Sequence, residues 1–509
     1  MKISYHLILC FFLLQTVGIA QEKLNIDQDL LPFLDPSKAP FYHGIASGDP
    51  TENSVVIWTK VTLGTSVKKA VITYEIATDS LFNSIVQKGN SVTDETKDFT
   101  IKERIQVLKS NHTYYYRFTY NSIFSIVGTT KTLPSKVESF NIAFASCSNY
   151  EFGYFTNYKL IAEDEAIDLV VHLGDYIYEY GVGVYGDTTI GRFNIPSHEI
   201  ITLADYRTRY SLYRLDKDLM KLHQLKPIIT TWDDHEIADN AYMTGAQNHQ
   251  ENEGSFLSRK DAAKKAYYEW LPITPKENEP LYRSFSVGSL INLIVLDTRI
   301  EERSKQVDSM QVSNYYDSTR TILGKKQFGW LQQNLRKNHT WKIICNQVPV
   351  GPMYYPSILK GEKYMDGWDG YPFEKEKFIS YLQQQNIQNT IIVTGDYHRS
   401  IAMETDLNGT KEKEDNVAVE FVVTSITSAN DDEYYSKEIA ETRKALYLKN
   451  NPHMKYCNNT EHGYLTLHIT PEEIIANYTN ITTIKEKNGK KKIDKTFSVI
   501  NGKSELIEK

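Results

Sequence analysis

Cysteine is scarce: the chain has four in 509 residues. Cys10 lies in an apolar run near the amino terminus. That leaves Cys147, Cys345 and Cys457, an odd number, so at least one thiol in an exported chain stays unpaired. Long apolar runs are missing as well. The run "LILCFFLL" is too short to span a bilayer as a helix, and no later stretch is longer, so no membrane span is expected. Positive charge is in deficit, with 57 Lys and Arg against 64 Asp and Glu and a formal net charge of −7. Nucleic acid and anionic membrane surfaces both select a basic face, so neither is expected as a partner. The one locally basic stretch, "KEKNGKKKIDK", reads as a solvated hairpin around Asn488-Gly489. Internal repeats and low-complexity linkers are lacking too.

What is present begins with residues 1–20, which read as a cleaved secretory leader. Lys2 makes a minimal basic start, the apolar core follows, and "VGIA" ends in small residues. Cys10 sits inside that core rather than after it, which disfavours a lipoprotein. Loss of Lys2, the leader's only formal charge, leaves the rest one unit more negative. The expectation is a soluble monomer, secreted or periplasmic.

The remaining length suggests more than one domain. Residues 41–135 carry short alternating runs such as "SVVIWTKV" and "AVITYEIA" between turn residues, the pattern of a small antiparallel β-sandwich. Residues 139–485 change rhythm. Apolar runs ("NIAFAS", "DLVVHL", "KPIITTW", "LINLIVL", "WKIICN", "TIIVTG", "VEFVVTS") alternate with helix-like stretches such as "SRKDAAKKAYYEW", which indicates an α/β sheet core. From about residue 463 the β pattern returns, through "KTFSVING". Residues 486–509 nevertheless read as a polar, Lys-rich tail that adds little to the core.

The polar residues after each apolar run carry the chemistry. "NIAFAS" ends at Cys147, and "VVHLG" at Asp175 and Tyr178. "PIITTW" ends at Asp233, Asp234, His235 and Glu236. "LIVL" ends at Asp297 and Arg299, "KIIC" at Asn346 and Gln347, and "IIVTG" at Asp396 and His398. In α/β sheets the ligand site lies beyond the carboxyl ends of the strands. Taken singly, each residue has a bland structural reading: a helix cap for Asp175 or Asn346, a buried hydrophobe for Cys147, an ion pair for Asp297 and Arg299. Their joint occurrence at six strand ends points to a metal site. Thiolate, phenolate and imidazole suit a redox-capable or Lewis-acidic transition metal, whereas clustered carboxylates and an amide suit a hard cation. A mixed site of at least two ions follows, with Asp175 placed to bridge them and Tyr178 to bind one. A water between such ions becomes hydroxide at neutral pH and attacks phosphorus, so phosphate-ester hydrolysis is the leading chemistry.

The same residues resemble a known family. "FASCSNYEFGYF", "HLGDYIYE", "WDDHE", "RKDAAKKAYYEWLPI", "LDTR" and "GDYH", in this order, resemble the alkaline phosphatase D family of metallophosphatases. "FYHGIASGDPTENSVVIWTKV" is similar to that family's N-terminal sandwich domain. The resemblance implies a four-layer α-β-β-α core and Fe³⁺ paired with one or two Ca²⁺ ions. It also implies hydrolysis of small phosphate monoesters or diesters. Residue by residue, it implies Cys147, Asp175, Tyr178 and His398 on iron, and Asp234 and Asp396 on the second ion. Asn346 is a further ligand, and His235 contacts the substrate phosphate, so His235 and Asp234 form the expected catalytic pair. Asp233, Arg299 and Arg399 support ligands or face the phosphate. Two stretches depart from the family: "IEERSK" after "LDTR" is acidic where a basic segment is expected, and the loop "GVGVYGDTTIGRFN" has no clear counterpart.

Cys147 as an iron ligand also accounts for the unpaired thiol, and leaves Cys345 and Cys457 as a disulfide or two buried thiols. Two alternative functions compete. A phospholipase D-like phosphodiesterase shares the diester chemistry but lacks a basic amphipathic docking helix. An inactive metal-stabilised binding module has no need of a phosphate-contacting histidine.

Overall fold

The computed structural model describes residues 23–358, 361–409 and 416–509, so the expected leader, residues 1–20, lies outside the described residues. Strand residues alternate between two sides of a sheet, and the buried clusters follow that alternation. Ile142 and Phe144 of the strand Phe140–Ala145 point into one core, while Ala143 and Ala145 point into another. Val171 and Val170 divide the same way, as do Ile229 and Ile228. On a second sheet, Val295, Ile343 and Val393 share the first core, while Ile294, Ile344 and Ile392 enter a third. Two sheets therefore face each other across a shared apolar core.

Helices cover both outer faces. Thr156–Glu163, Leu203–Arg214, Lys217–Leu225 and Phe256–Trp270 pack on one sheet through Tyr158, Tyr210, Leu222 and Tyr267. Gly324–Leu335 and Pro372–Gln384 cover the other through Phe328, Leu331, Phe378 and Leu382. The layers run helix, sheet, sheet, helix, as the family resemblance implies. Coverage on both faces explains why these strands read as unbroken apolar runs.

The larger sheet has ten strands. Its centre is parallel, with Leu169–His172 between Phe140–Ala145 and Pro227–Thr230. The smaller has seven, with Ile291–Val295, Trp341–Asn346, Thr390–Thr394 and Ala418–Val422 parallel in that order. The N-terminal strands Ile45–Gly48, Val55–Lys60 and Thr100–Ile105 extend the larger sheet, Ile45–Gly48 lying parallel to Pro227–Thr230. A separate five-stranded sheet built on Lys69–Ala77 and Thr113–Tyr120 packs against them through Ile57, Ile72, Ile101 and Phe118. The N-terminal sandwich thus shares one of its sheets with the core.

The expectation of a polar tail beyond residue 485 fails. Lys491–Ile500 is a strand paired antiparallel with Glu473–Ile481, and Phe497 and Val499 are buried between the two sheets. Lysine dominates the composition there, but "FSV" places two apolar side chains on one face of the strand, and that face decides burial. The hairpin expected around Asn488-Gly489 is present, closed by Thr482 N–H donating to Lys490 O at 3.1 Å.

Candidate active site

Both sheets point the carboxyl ends of their parallel strands at one rim. Cys147 follows Phe140–Ala145, Asp175 follows Leu169–His172, and Asp233 to Glu236 follow Pro227–Thr230. From the other sheet, Arg299 follows Ile291–Val295, while Asp396 and His398 follow Thr390–Thr394.

The turns that carry these residues are unusual. Cys147, Asp175, Asp396 and His398 all adopt left-handed backbone, with φ of 60°, 55°, 60° and 54°. For non-glycine residues this conformation costs about 1–2 kcal/mol each, and it persists only where surrounding structure over-determines it. Here the loops hold one another. Cys147 N–H donates to Gly174 O at 3.1 Å, Ser148 N–H to Asp175 O at 2.9 Å, and Ser428 N–H to Cys147 O at 3.1 Å. The buried Glu236 carboxylate accepts from the amides of Asp175, Tyr176 and Asp233 at 3.1, 2.6 and 2.8 Å, tying two of the turns together. Gly174, at φ 118°, is required: a Cβ there would lie 2.4 Å from Cβ of Asp233.

Three overlapping groups of donor atoms result, each within 4.8 Å. The first is Cys147, Asp175 and His398; the second Asp175, Asp234 and His235; the third Asp233, Asp234 and Asp396. Tyr178 joins the first, its hydroxyl 3.0 Å from Asp175 Oδ2 and 3.3 Å from His398 Nε2. His398 Nδ1 lies 2.8 Å from Ala429 O, so Nδ1 carries the proton and donates, and Nε2 is left as a donor atom toward the group.

These donors fit cations. Burial pushes the Cys147 thiol and the Asp175 carboxyl well up, with neighbouring carboxylates adding to both shifts. The charged forms are therefore favoured only with positive charge alongside. Asp233 Oδ2 is buried with no hydrogen-bond partner. One internal cation is already supplied. The Arg299 guanidinium, fully buried, pairs with Asp233, with Asp366 at 2.6 Å and with Asp396 at 2.5 Å, and lies 3.6 Å from Asp234. Burial disfavours charge on Asp234, but Arg299, His235 and the Asn240 amide outweigh it and hold that carboxyl at about 2. A soft set (thiol, phenol, imidazole) thus adjoins a hard carboxylate set, with Asp175 common to two groups and Asp234 to two.

His235 stands beside both. Its Nδ1 lies 2.7 Å from Glu179 Oε2, and its ring stacks on Tyr178 at 4.2 Å between centroids. Glu179, itself held by the Asp239 amide at 2.8 Å and Asn248 Nδ2 at 2.9 Å, is fully buried. Burial opposes the imidazolium, but Glu179, Asp234 and Asp175 raise its pKa well above the usual value. His235, Asp175, Asp234, Asp396 and His398 all line one cavity of about 850 Å³. Tyr180, Tyr185, Tyr242, Tyr355 and Tyr364 form much of its wall.

Not every expected residue faces this cavity. The Asn346 carboxamide donates to Val348 O and accepts from Trp368 Nε1 at 3.3 Å, so it holds the turn after its strand and does not line the cavity. Arg399 donates to Asp431 Oδ1 at 2.5 Å and to Tyr397 O at 2.9 Å, bracing the wall from behind. Arg299 and Asp233 do not line the cavity; the Arg299 guanidinium pairs with Asp233 beside the third donor group. Asp297 takes the Trp232 indole N–H at 2.8 Å, and its side chain is not the partner of the Arg299 guanidinium. Cys345 and Cys457 are buried free thiols, which settles the choice between disulfide and thiols. In "IEERSK", Glu301 pairs with Lys264 at 3.3 Å and Arg303 with Asp366 at 2.5 Å, while Lys305 reaches the cavity. The loop "GVGVYGDTTIGRFN" contributes Tyr185.

Sequence reasoning missed Glu179, Asp366, Tyr364 and Ser428. Glu179 closes "GDYIYE" one turn after Asp175 and was legible there. Asp366 and Tyr364 (hydroxyl 2.6 Å from Asp396 Oδ2) come from an irregular segment with no strand to announce it. Ser428, 2.6 Å from the Tyr178 hydroxyl, comes from a loop as well.

The architecture and motif order agree with comparisons to known proteins. A family model described as the PhoD-like phosphatase N-terminal domain matches residues 30–134. Alkaline phosphatase D of Bacillus subtilis (strain 168) is 38% identical over 461 residues, covering 87% of this chain and 78% of that one. A solved structure described as that of PhoD superposes with a TM-score of 0.85 at 34% identity, covering 93% of each chain. The family model described as PhoD-like phosphatase matches residues 142–478, the span that carries every residue of the three donor groups, and the chain belongs to that family of phosphoric ester hydrolases.

Proposed function

We propose that this phosphatase is metal-dependent and hydrolyses small phosphate monoesters, diesters or both. In this reading Cys147, Asp175, Tyr178 and His398 hold Fe³⁺, and Asp175, Asp234 and Asp396 hold Ca²⁺. The observation that carries it is the overlap of the donor groups: Asp175 and Asp234 each belong to two, directly beside His235. Cations bound there supply Lewis acidity, which activates water and offsets charge on the transferring phosphoryl group. The rest is done by the chain. Glu179 accepts a hydrogen bond from His235 Nδ1–H, keeping the ring charged and fixing its plane, so Nε2–H is available to a phosphoryl oxygen in the cavity. Arg299 holds Asp233, Asp234 and Asp396 converged, helps keep the Asp234 carboxyl low, and opposes the burial that pushes the Asp233 and Asp396 carboxyls up. Tyr178 packed on the ring limits its motion.

Export belongs to the same proposal. It is supported by the leader-like residues 1–20, and no helix among the described residues is long and apolar enough to cross a membrane. Amino-terminal sequencing of the protein recovered from outside the cytoplasm tests it, with a start near Gln21 expected.

The decisive assay measures an aryl phosphate monoester and a bis-aryl diester before and after chelation. Chelation abolishes turnover and added Ca²⁺ restores it. Full activity in metal-stripped protein would refute the assignment.

A further inference from the structure

Away from the active-site rim, Arg214 is a buried cation that faces no carboxylate. It ends the helix Leu203–Arg214, is fully enclosed, and reaches the N-terminal strands. The other fully buried arginines are better matched. Arg259, Arg299 and Arg303 pair with carboxylates, and Arg209 donates to the carbonyls of Tyr178, Ile195 and Pro196. Arg214 Nη2 donates to His43 O and Ile45 O at 3.4 and 3.5 Å, both long, and the guanidinium lies 4.3 Å from the centre of the Trp58 ring. Its Nε and Nη1 have no hydrogen-bond partner among the described residues, and neither do His43 Nδ1 and the Tyr116 hydroxyl. Burial pulls the Arg214 pKa down, Tyr176 and Tyr116 oppose, and no carboxylate acts on it.

A guanidinium cannot escape burial by losing its proton. Two long carbonyl contacts and an indole face offset such a charge only in part, and a counter-charge is what a buried cation requires. The neighbouring groups supply none. Burial, then Lys60 and Arg214, hold the His43 pKa well below its usual value; burial, then Arg214 and His172, do the same to His223. Lys60 is itself a cation and is paired with Asp98 at 2.6 Å. We propose that Arg214, with His43 Nδ1–H and the Tyr116 hydroxyl, binds a halide ion where the N-terminal strands meet the catalytic layers. In this arrangement Ser211 Oγ–H donates to His43 Nε2 at 2.7 Å, which leaves the imidazole proton on Nδ1 for the ion. One unmatched positive charge calls for one negative charge. Few donors among aromatic rings, whose edges are positive, suit a compact polarizable ion better than a doubly charged oxyanion with four oxygens to satisfy. The site does not depend on the hydrolytic reading above.

Bromide and chloride are the probes. Crystals of the whole protein soaked in sodium bromide show an anomalous peak within hydrogen-bond reach of Arg214 Nε and Nη1, and crystals soaked in sodium gluconate show none there. In solution the melting temperature rises with the logarithm of chloride concentration at constant ionic strength, gluconate making up the difference, as an ion bound to the folded state alone requires. Arg214→Met keeps much of the volume and removes the charge, a change that buried sites tolerate, and it loses both the bromide peak and the chloride dependence. Equal melting in chloride and gluconate, a chloride effect that survives in Arg214→Met, or water alone beside Arg214 in the bromide crystal overturns the site. The wild-type crystal and the wild-type titration need no variant, so they decide the matter even where Arg214→Met fails to fold.

Discussion

Glu179→Gln isolates the charge on which His235 depends. The substitution keeps the volume of a fully buried side chain, and its carbonyl oxygen can still accept from the Asp239 amide and Asn248. The carboxamide N–H₂ then faces His235 Nδ1, where the carboxylate accepted a proton at 2.7 Å. A charge-assisted hydrogen bond of this kind is worth about 1.5–3 kcal/mol, or roughly 10- to 150-fold in kcat if the imidazolium acts on the transferring phosphoryl group. The sign of the pH effect follows. Glu179 is the largest influence raising the His235 pKa against burial. Without it the proton leaves at lower pH, so the alkaline limb of the kcat profile moves toward acid. Glu179 is in none of the donor groups, so metal content stays at the wild-type level. The assay is steady-state hydrolysis of an aryl phosphate across the alkaline range, with elemental analysis of the same samples. An unmoved alkaline limb, or loss of metal together with activity, would refute the reasoning.

Three further outcomes are expected. On the proposed iron assignment, Cys147→Ser removes the thiol that stands with Asp175 and His398, so a thiolate-to-iron absorption band disappears and iron content falls; unchanged iron would take Cys147 out of the site. Phe497→Ala opens a hole between the sheets and costs about 3–5 kcal/mol, read as a lowered melting temperature, and truncation after Asn480 costs at least as much; an unaffected melt would mean the strand Lys491–Ile500 is dispensable. Asp369→Asn leaves Lys375, 2.8 Å away, buried without its counter-charge and destabilises by about 3–5 kcal/mol near neutral pH. Burial opposes charge on Asp369, but Lys375 and Lys363 outweigh it and hold the carboxyl below its usual value. Its contribution is therefore complete above the unfolded pKa of about 3.9 and lost as pH falls through the folded value. A variant whose stability falls as steeply in acid as the wild type's would argue against this.

Legibility followed local pattern. The strands Leu169–His172, Pro227–Thr230 and Thr390–Thr394 were readable because burial on both faces leaves their central positions apolar, and the donors just beyond their ends were readable because the chain must turn there. Asn346 met the same rule and failed it, since a strand end says where a side chain starts and not which way it points. The strand Lys491–Ile500 was hidden by composition: its lysines outnumber its core residues, yet only Phe497 and Val499 decide its place. Asp366 and Tyr364 gave no signal, since irregular segments carry no period to read.

By itself, the sequence determined the alternation of buried strands with helices, the rim at which the chemistry gathers, and the identity of most donors, because period, turn residues and side-chain type are local properties of the chain; the layer order came from the family resemblance. Only the tertiary structure decided that Arg299 is buried among Asp233, Asp366 and Asp396, and that Glu179 holds His235. Each depends on which side chains from distant segments meet in a low-dielectric interior, where a partner a few ångströms away sets both charge and orientation.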